Sequence, residues 1–580
     1  MKRIFIIILS AVVLAFTGCN KDEILDGNPY TSFVKSNYFT SETNVELFAN
    51  YFYSEWAGYG NSGSYGSFYF PSLNDNQAPT GYTEWNFTSV SATNGTWNAC
   101  YQEIRRANTL IEALPTIESM SDASKKNWEG LARLYRAWQH YCLVRTFGDC
   151  YYVDTVLDSS DEEVLYGPRQ DRDVVMDKVL EDLNFAVANI TANASSRTAY
   201  NAAVAQAIKS EICLYEGTFC KYRSSSDGQK DADPSRASKY LTECKTASQV
   251  IMNNSMYALS PSYRAVYNSL DLAESEATKE MILYKKYVDG ILGHSVIDYT
   301  CGSTQTVGMT KDAFDSYLFR DGEALANTSL NKDDHGKKVA IKSGTFADDR
   351  DYVVSIKDAL DNRDPRLSES IDSVLFYPGM GYKRYALGAE ATSSTGYGVM
   401  KFDTPKFTDA TARNSIGRGA TDAPIFWLGN IILNYAEACA ETGEDAAAVS
   451  AINQLRSRAG MPNLSSSPKA DPANNMGVSN LIWEVRRERR VELMFDNNDR
   501  YWSLIRWHQL DKLDQTNYPN LHKGAWIGEF KTEGVDVDSN GYIETLNNTS
   551  GRKYDKKYYL APIPSGQITL NPQIGQNPGW

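Results

Sequence analysis

Apolar residues recur at three- and four-residue spacing along most of the chain, the signature of helices with one buried face. Ser41 to Trp56 follows this pattern, with Val45, Leu47, Phe48 and Phe52 on the inward side. The polar run SETNVE ahead of them supplies an N-cap and first-turn acids. The same spacing predicts helices over Trp97–Leu114, stopped before Pro115, and over Ser124–Phe147, ended at Gly148. Further helices are predicted at about 171–190, 200–220, 235–253, 425–442, 446–459, 478–495 and 498–511.

Two pairs of these helices share a layout. AVAQAIKSEICLYEGTF followed by ASKYLTECKTASQVI parallels IILNYAEACAETG followed by AAVSAINQLRSRAG, with Ala where helices approach and Tyr or Leu as filler. This resembles the tetratricopeptide style of pair, in which stacked helices bury each other's faces. Between the helices lie irregular stretches at 57–95 and 255–420, rich in Tyr, Phe and Trp, a composition that argues for order. No Pro/Gly/Ser linker divides the chain. The expectation is a mainly α single large domain: a scaffold of tetratricopeptide-type pairs with long ordered loops and a few short β-hairpins.

The N-terminus departs from this pattern. Lys2 and Arg3 precede an apolar run from Ile4 to Phe16, broken only by Ser10, and charge returns after Cys19. The run is shorter than the roughly 20 residues a membrane-spanning helix needs, and reads as a secretory signal. Phe16-Thr17-Gly18-Cys19 resembles the lipobox of bacterial lipoproteins, with Phe16 where Leu is usual. On this reading residues 1–18 are removed and Cys19 is acylated; the alternative is an ordinary signal with a chance cysteine.

Lys plus Arg is 58 against Asp plus Glu at 72, a net charge of −14, which argues against a general nucleic-acid binder. No C-x-x-C occurs, so neither a zinc ribbon nor a thioredoxin-like pair is signalled. Cys142, Cys213, Cys244 and Cys439 sit at helical spacing among apolar residues and read as small buried hydrophobes.

Catalytic motifs are scarce. The chain has no G-x-S-x-G elbow, P-loop or H-E-x-x-H, and His140 lies among helical aromatics. GYGNSG at 58–63 matches G-x-G-x-x-G but neither follows a strand nor opens a helix, so it reads as a flexible loop. In DVDSNGYIETLN, Asp536, Asp538 and Asn540 are a weak calcium candidate, but Asn547 stands where a bidentate Glu is needed. The same letters read better as a hairpin turning at Asn540-Gly541. Paired acids for glycoside hydrolysis cannot be singled out among 72.

The unusual feature is a 12% aromatic share, with 37 Tyr and 11 Trp, many in polar, glycine-rich surroundings. The stretch from 51 to 98 mixes rings with Asn, Asp, Gln, Ser and Gly, the mixture of adaptable recognition surfaces. A ring can lie on the C–H face of a pyranose while amides and carboxylates answer its hydroxyls. The candidate ligand contacts are Asp75, Tyr82, Trp85 and Asn86, with His294 and Tyr299 as a second wall.

Several C-terminal segments carry a resemblance: TDAPIFWLGNIILNYAEACAETGE, AINQLRSRAGMP, LIWEVRRERRVELMFDNNDRYWSLIRWHQL and KKYYLAPIPSGQITLNPQIGQNPGW. With GMTKDAFDSYLFRDG, NRDPRL, WNACYQEIRRAN and RAWQHYCLVRTFGD, they resemble, in order and spacing, the SusD/RagB family of Bacteroidetes outer-membrane nutrient-binding lipoproteins. Trp427 and Asn430 depart from the Arg and acid of many members. The resemblance implies a SusD-like domain over 31–580, with parts at about 31–254 and 255–580, behind a lipidated tether at 19–30. It implies oligosaccharide binding, an outer-membrane lipid anchor facing the exterior, and a lid role on a SusC-like TonB-dependent barrel transporter. It implies neither catalysis nor a cofactor. RagB-like members leave peptide or another nutrient open as the ligand, and an exported glycosidase is the rival from another class.

Overall fold

The structure is a computed structural model and describes residues 38–79, 85–191, 196–301, 307–340, 352–380, 384, 392–406, 415–545 and 552–580. Cys19 and Tyr82 lie outside the described residues.

Helices form where the spacing predicts them, and cap chemistry sets their ends. Ser41 caps α1 (Glu42–Ala49) by accepting from the Asn44 N–H, and the chain continues as a 3-10 turn to Glu55. Asn94 accepts from the backbone of Thr96 and Trp97 to open α2 (Gly95–Ala113). Ser121 opens α3 (Asp122–Phe147), which stops at Gly148 with φ 75°. The scaffold continues with α4 (Arg172–Asn189), α5 (Ala202–Tyr222) and α6 (Pro234–Met252). After the long middle segment come α7 (Leu428–Glu441), α8 (Asp445–Arg458), α9 (Asn480–Glu492) and α10 (Asp499–Arg506).

Each of α2 to α8 packs on the next, and the two pairs read from sequence, α5 with α6 and α7 with α8, stack through α6 on α7. Small residues let them approach: a Cβ at Gly217 of α5 would come within 2.7 Å of Leu241 on α6. A buried polar link ties three helices, with Ser210 bonded to Ser248 at 2.8 Å and to the Asn434 amide at 3.1 Å. The charged residues of α9 are held in an ion network. Arg456 meets Glu488 at 2.9 Å, Arg366 meets Glu492 at 2.9 Å and Arg489 meets Asp499 at 2.8 Å, while Val485 and Val491 pack inward. Such pairs fix geometry more than they add stability.

The middle segment differs from the irregular stretch expected. Lys337–Ala340, Tyr352–Ser355, Ile371–Phe376 and Gly396–Val399 form a four-stranded antiparallel sheet in that order. Met281–Lys285 pairs antiparallel with Ala423–Trp427, so α7 opens only at Leu428. Leu47, expected inward, is exposed, because the buried face of α1 and its 3-10 extension is Val45, Ala49 and Phe52. The 536–544 segment is a hairpin: Val537 bridges Ile543, and the Asp538 carboxylate accepts from the Asn540 and Tyr542 N–H groups and pairs with Lys523 at 2.7 Å. With that carboxylate so engaged, the calcium reading of Asp536, Asp538 and Asn540 loses its central ligand. Cys100, Cys142, Cys150, Cys213, Cys220, Cys244 and Cys439 are free and buried. Among the described residues no helix is long and apolar enough to cross a membrane.

Candidate functional site

The glycine-rich run after α1 folds as a tight hairpin, with Gly60–Asn61 paired to Ser64–Tyr65. Its glycines are required. At Gly60, φ is 90° and a Cβ would lie 2.3 Å from the Ser64 carbonyl oxygen; at Gly66 it would lie 2.1 Å from that of Gly58. The hairpin lifts Tyr65 to 58% exposure. One face of that ring stacks on Phe70, with centroids 4.3 Å apart and planes 22° apart. Tyr299, on the short helix Val296–Cys301, stands nearly perpendicular to both rings, 5.4 Å from each. Its hydroxyl is bonded to that of Tyr65, and this bond, with burial, pushes the Tyr299 phenol up to about 12. The three rings make a corner with a polar seam.

Beneath the corner the chain is locked. Tyr59 is fully buried, donates to the Tyr267 carbonyl at 2.8 Å and meets the His294 ring at 5.0 Å. Tyr287 donates to the Gly60 carbonyl at 2.7 Å. His294 Nδ1 accepts from the Val296 N–H at 3.3 Å, which leaves Nε2–H to donate to the Thr421 carbonyl at 3.1 Å. Burial pushes this histidine down to about 3, so it is neutral and fixes the start of the helix that carries Tyr299.

The loop that follows Tyr65 is pinned with equal care. Tyr69 has φ 64°, rare for a bulky residue, and is held by its N–H to the Phe495 carbonyl at 2.8 Å and its hydroxyl to the Val307 carbonyl at 3.0 Å. The receiving turn is itself left-handed at Phe495, Asn497 and Asn498. Ser67 donates to Asn497 at 2.8 Å, and Gln77–Ala78 pairs with Gly308–Met309. Arg500 grips Asp75 with two bonds of 2.7 and 2.6 Å. Burial alone would raise the Asp75 carboxyl, but Arg490 and Arg500 outweigh it and hold it well below the usual range.

Residues 285–580 match the model described as the SusD family. The chain belongs to the SusD family. Residues 24–213 match a second model, described as starch-binding associating with outer membrane. No curated protein matches the chain. A SusD-like carbohydrate-binding protein from Bacteroides fragilis superposes with a TM-score of 0.65 at 19% identity, covering 93% of this chain and 100% of the other. A structure described with a xylogluco-oligosaccharide gives 0.57 at 17% identity, covering 91% and 97%. A laminarin-binding SusD-like protein gives 0.54 at 17%, covering 93% and 100%. At these identities the likeness is one of fold.

Within this SusD-family fold, the residues singled out from sequence are dispersed. Tyr299 stands on the aromatic corner. Asn86 is exposed and bonded to Tyr501, whose hydroxyl burial pushes up to about 12. Three others are revised to supporting roles. Asp75 is buried against Arg500; Trp85 is buried, stacked on Tyr558 at 4.5 Å, its indole N–H on the Lys553 carbonyl at 2.7 Å; His294 is fully buried. Tyr65 and Phe70, which form the corner with Tyr299, are not among the sequence candidates, although they lie in the same aromatic stretch. The available signal was the pair of glycines bracketing S-Y, which marks a tight turn with a ring at its end.

Proposed function

We propose that this SusD-family chain is a surface-exposed lipoprotein that binds oligosaccharides at the Tyr65–Phe70–Tyr299 corner and serves as the lid of a SusC-like TonB-dependent transporter. The observation that carries the binding reading is the exposed Tyr65 ring, backed on one face by Phe70 and held rigidly by the glycine hairpin. A preformed platform loses little entropy on binding, and a pyranose can lay its C–H face on the ring while the Tyr65 and Tyr299 hydroxyls meet its polar edge. The solved relatives described with a xylogluco-oligosaccharide and as laminarin-binding support a glycan ligand. The family description supports outer-membrane association.

The test is a glycan array probed with the soluble protein beside a pool of peptides, followed by incubation with any bound oligosaccharide. Selective retention of glycans without new reducing ends is the expected result. Binding confined to peptides would move the chain to the other nutrient class, and new reducing ends would make it a glycosidase.

A further inference from the structure

The largest cavity among those described lies away from the aromatic corner. It is a groove of about 660 Å³ between α2, the segment around Tyr151–Tyr166 and the C-terminal helix Ser565–Leu570. Its walls are mostly branched or aromatic: Trp97, Leu157, Val164, Leu165, Leu570 and Ile574. On its lip, Leu165, Tyr166 and Leu570 are 39%, 53% and 72% exposed, an unusual grouping of large apolar side chains on a soluble face. The polar atoms of the floor are spent internally. The Tyr101 hydroxyl takes the Tyr151 N–H at 2.9 Å, the Tyr151 hydroxyl donates to the Gly167 carbonyl at 2.6 Å, and the Asn571 amide donates to that same carbonyl at 2.8 Å. Trp97 offers no free ring face, being buried edge-on against Tyr101 and Phe147. The polar atoms of Tyr101, Tyr151 and Asn571 are thus already paired, and the walls that remain are chiefly apolar.

The wall that carries Val164, Leu165 and Tyr166 is strongly charged. Asp158, Asp161, Glu162 and Glu163 lie in the run LDSSDEEVLYG, which contains no basic residue. Arg105, the one basic residue lining the groove, is turned onto the Leu157 carbonyl. An apolar trough with an acidic rim selects its occupant by charge as well as by shape.

We propose that this groove docks a basic amphipathic segment of a partner protein, laid in as a helix with its apolar stripe in the trough and its lysines or arginines along the 158–163 rim. The site is separate from the glycan corner and stands or falls without it.

The test uses the full chain and two labelled peptides of about 18 residues with one apolar stripe at helical spacing, one bearing Lys and the other Glu on the polar face. Fluorescence anisotropy should show the Lys peptide binding about ten-fold or more tightly than the Glu peptide, with the preference fading as salt rises. Leu165→Ser with Leu570→Ser should weaken both peptides, while Glu162→Lys with Glu163→Lys should invert the preference; all four positions are exposed, so thermal midpoints should hold. Equal affinity for the two peptides, indifference to both double variants, or burial of this face in a dimer of the chain would overturn the proposal.

Discussion

Tyr65 and Trp85 show what sequence alone separates poorly. Both are aromatic residues in the same polar, glycine-rich run, and the only local difference is the pair of glycines bracketing Ser64-Tyr65. What decides is the partner each ring finds: Trp85 reaches the Lys553 carbonyl across 468 positions and stacks on Tyr558, whereas Tyr65 is backed by Phe70 five residues away and stays 58% exposed. The two therefore respond differently to truncation. Trp85→Ala should cost about 3–5 kcal/mol in urea unfolding, the range for a buried aromatic, because it opens a cavity and strands a carbonyl. Tyr65→Ala should leave the unfolding midpoint where it was. Equal unfolding curves for the two variants would contradict the placement of both rings.

At the scale of elements, helices were legible because their signals are local. Asn94, Ser121, Asn201 and Ser479 each cap the helix that the apolar spacing announces. The four-stranded sheet was not legible, because its strands are four to six residues long and their pairing lies in distant contacts. The aromatic corner depends on one such junction. Asp422, beside the strand Ala423–Trp427, accepts from the Leu272 N–H at 2.9 Å and the Tyr287 N–H at 2.8 Å, and burial raises its carboxyl to about 6. A raised folded-state value means that its stabilising contribution is complete below the ordinary carboxylate value of about 4 and is lost as pH rises through about 6. Asp422→Asn should therefore flatten the fall of the thermal midpoint across that window. A slope identical to wild type would show that Asp422 does not titrate there.

At the scale of the molecule, the frame of stacked helix pairs was readable from repeated Ala-rich layouts, and the family from ordered motifs, while the candidate site was readable only as an aromatic region. The proposed transport role rests on attachment and partnership. Two or more acyl chains hold a protein stably on a membrane where one does not, so Cys19→Ala should move the chain from the carbonate-washed membrane fraction to the soluble one. Retention of the variant in the membrane would remove Cys19 as the anchor. In the proposed lid role, tethering the chain and a barrel in one membrane would raise their effective concentration, so modest contacts would suffice. The native protein extracted in mild detergent should accordingly co-migrate with a large β-barrel; recovery as a free monomer with normal ligand uptake in a deletion strain would contradict the lid role. The central claim, that the Tyr65–Phe70–Tyr299 corner holds the ligand, is tested most directly by calorimetric titration of wild type, Tyr65→Ala and Tyr299→Ala with the oligosaccharide best retained on the array. The account predicts at least about a ten-fold loss of affinity in each variant, as expected for loss of a central aromatic contact, with thermal midpoints unchanged. Wild-type affinity in both variants would place the ligand elsewhere on the molecule.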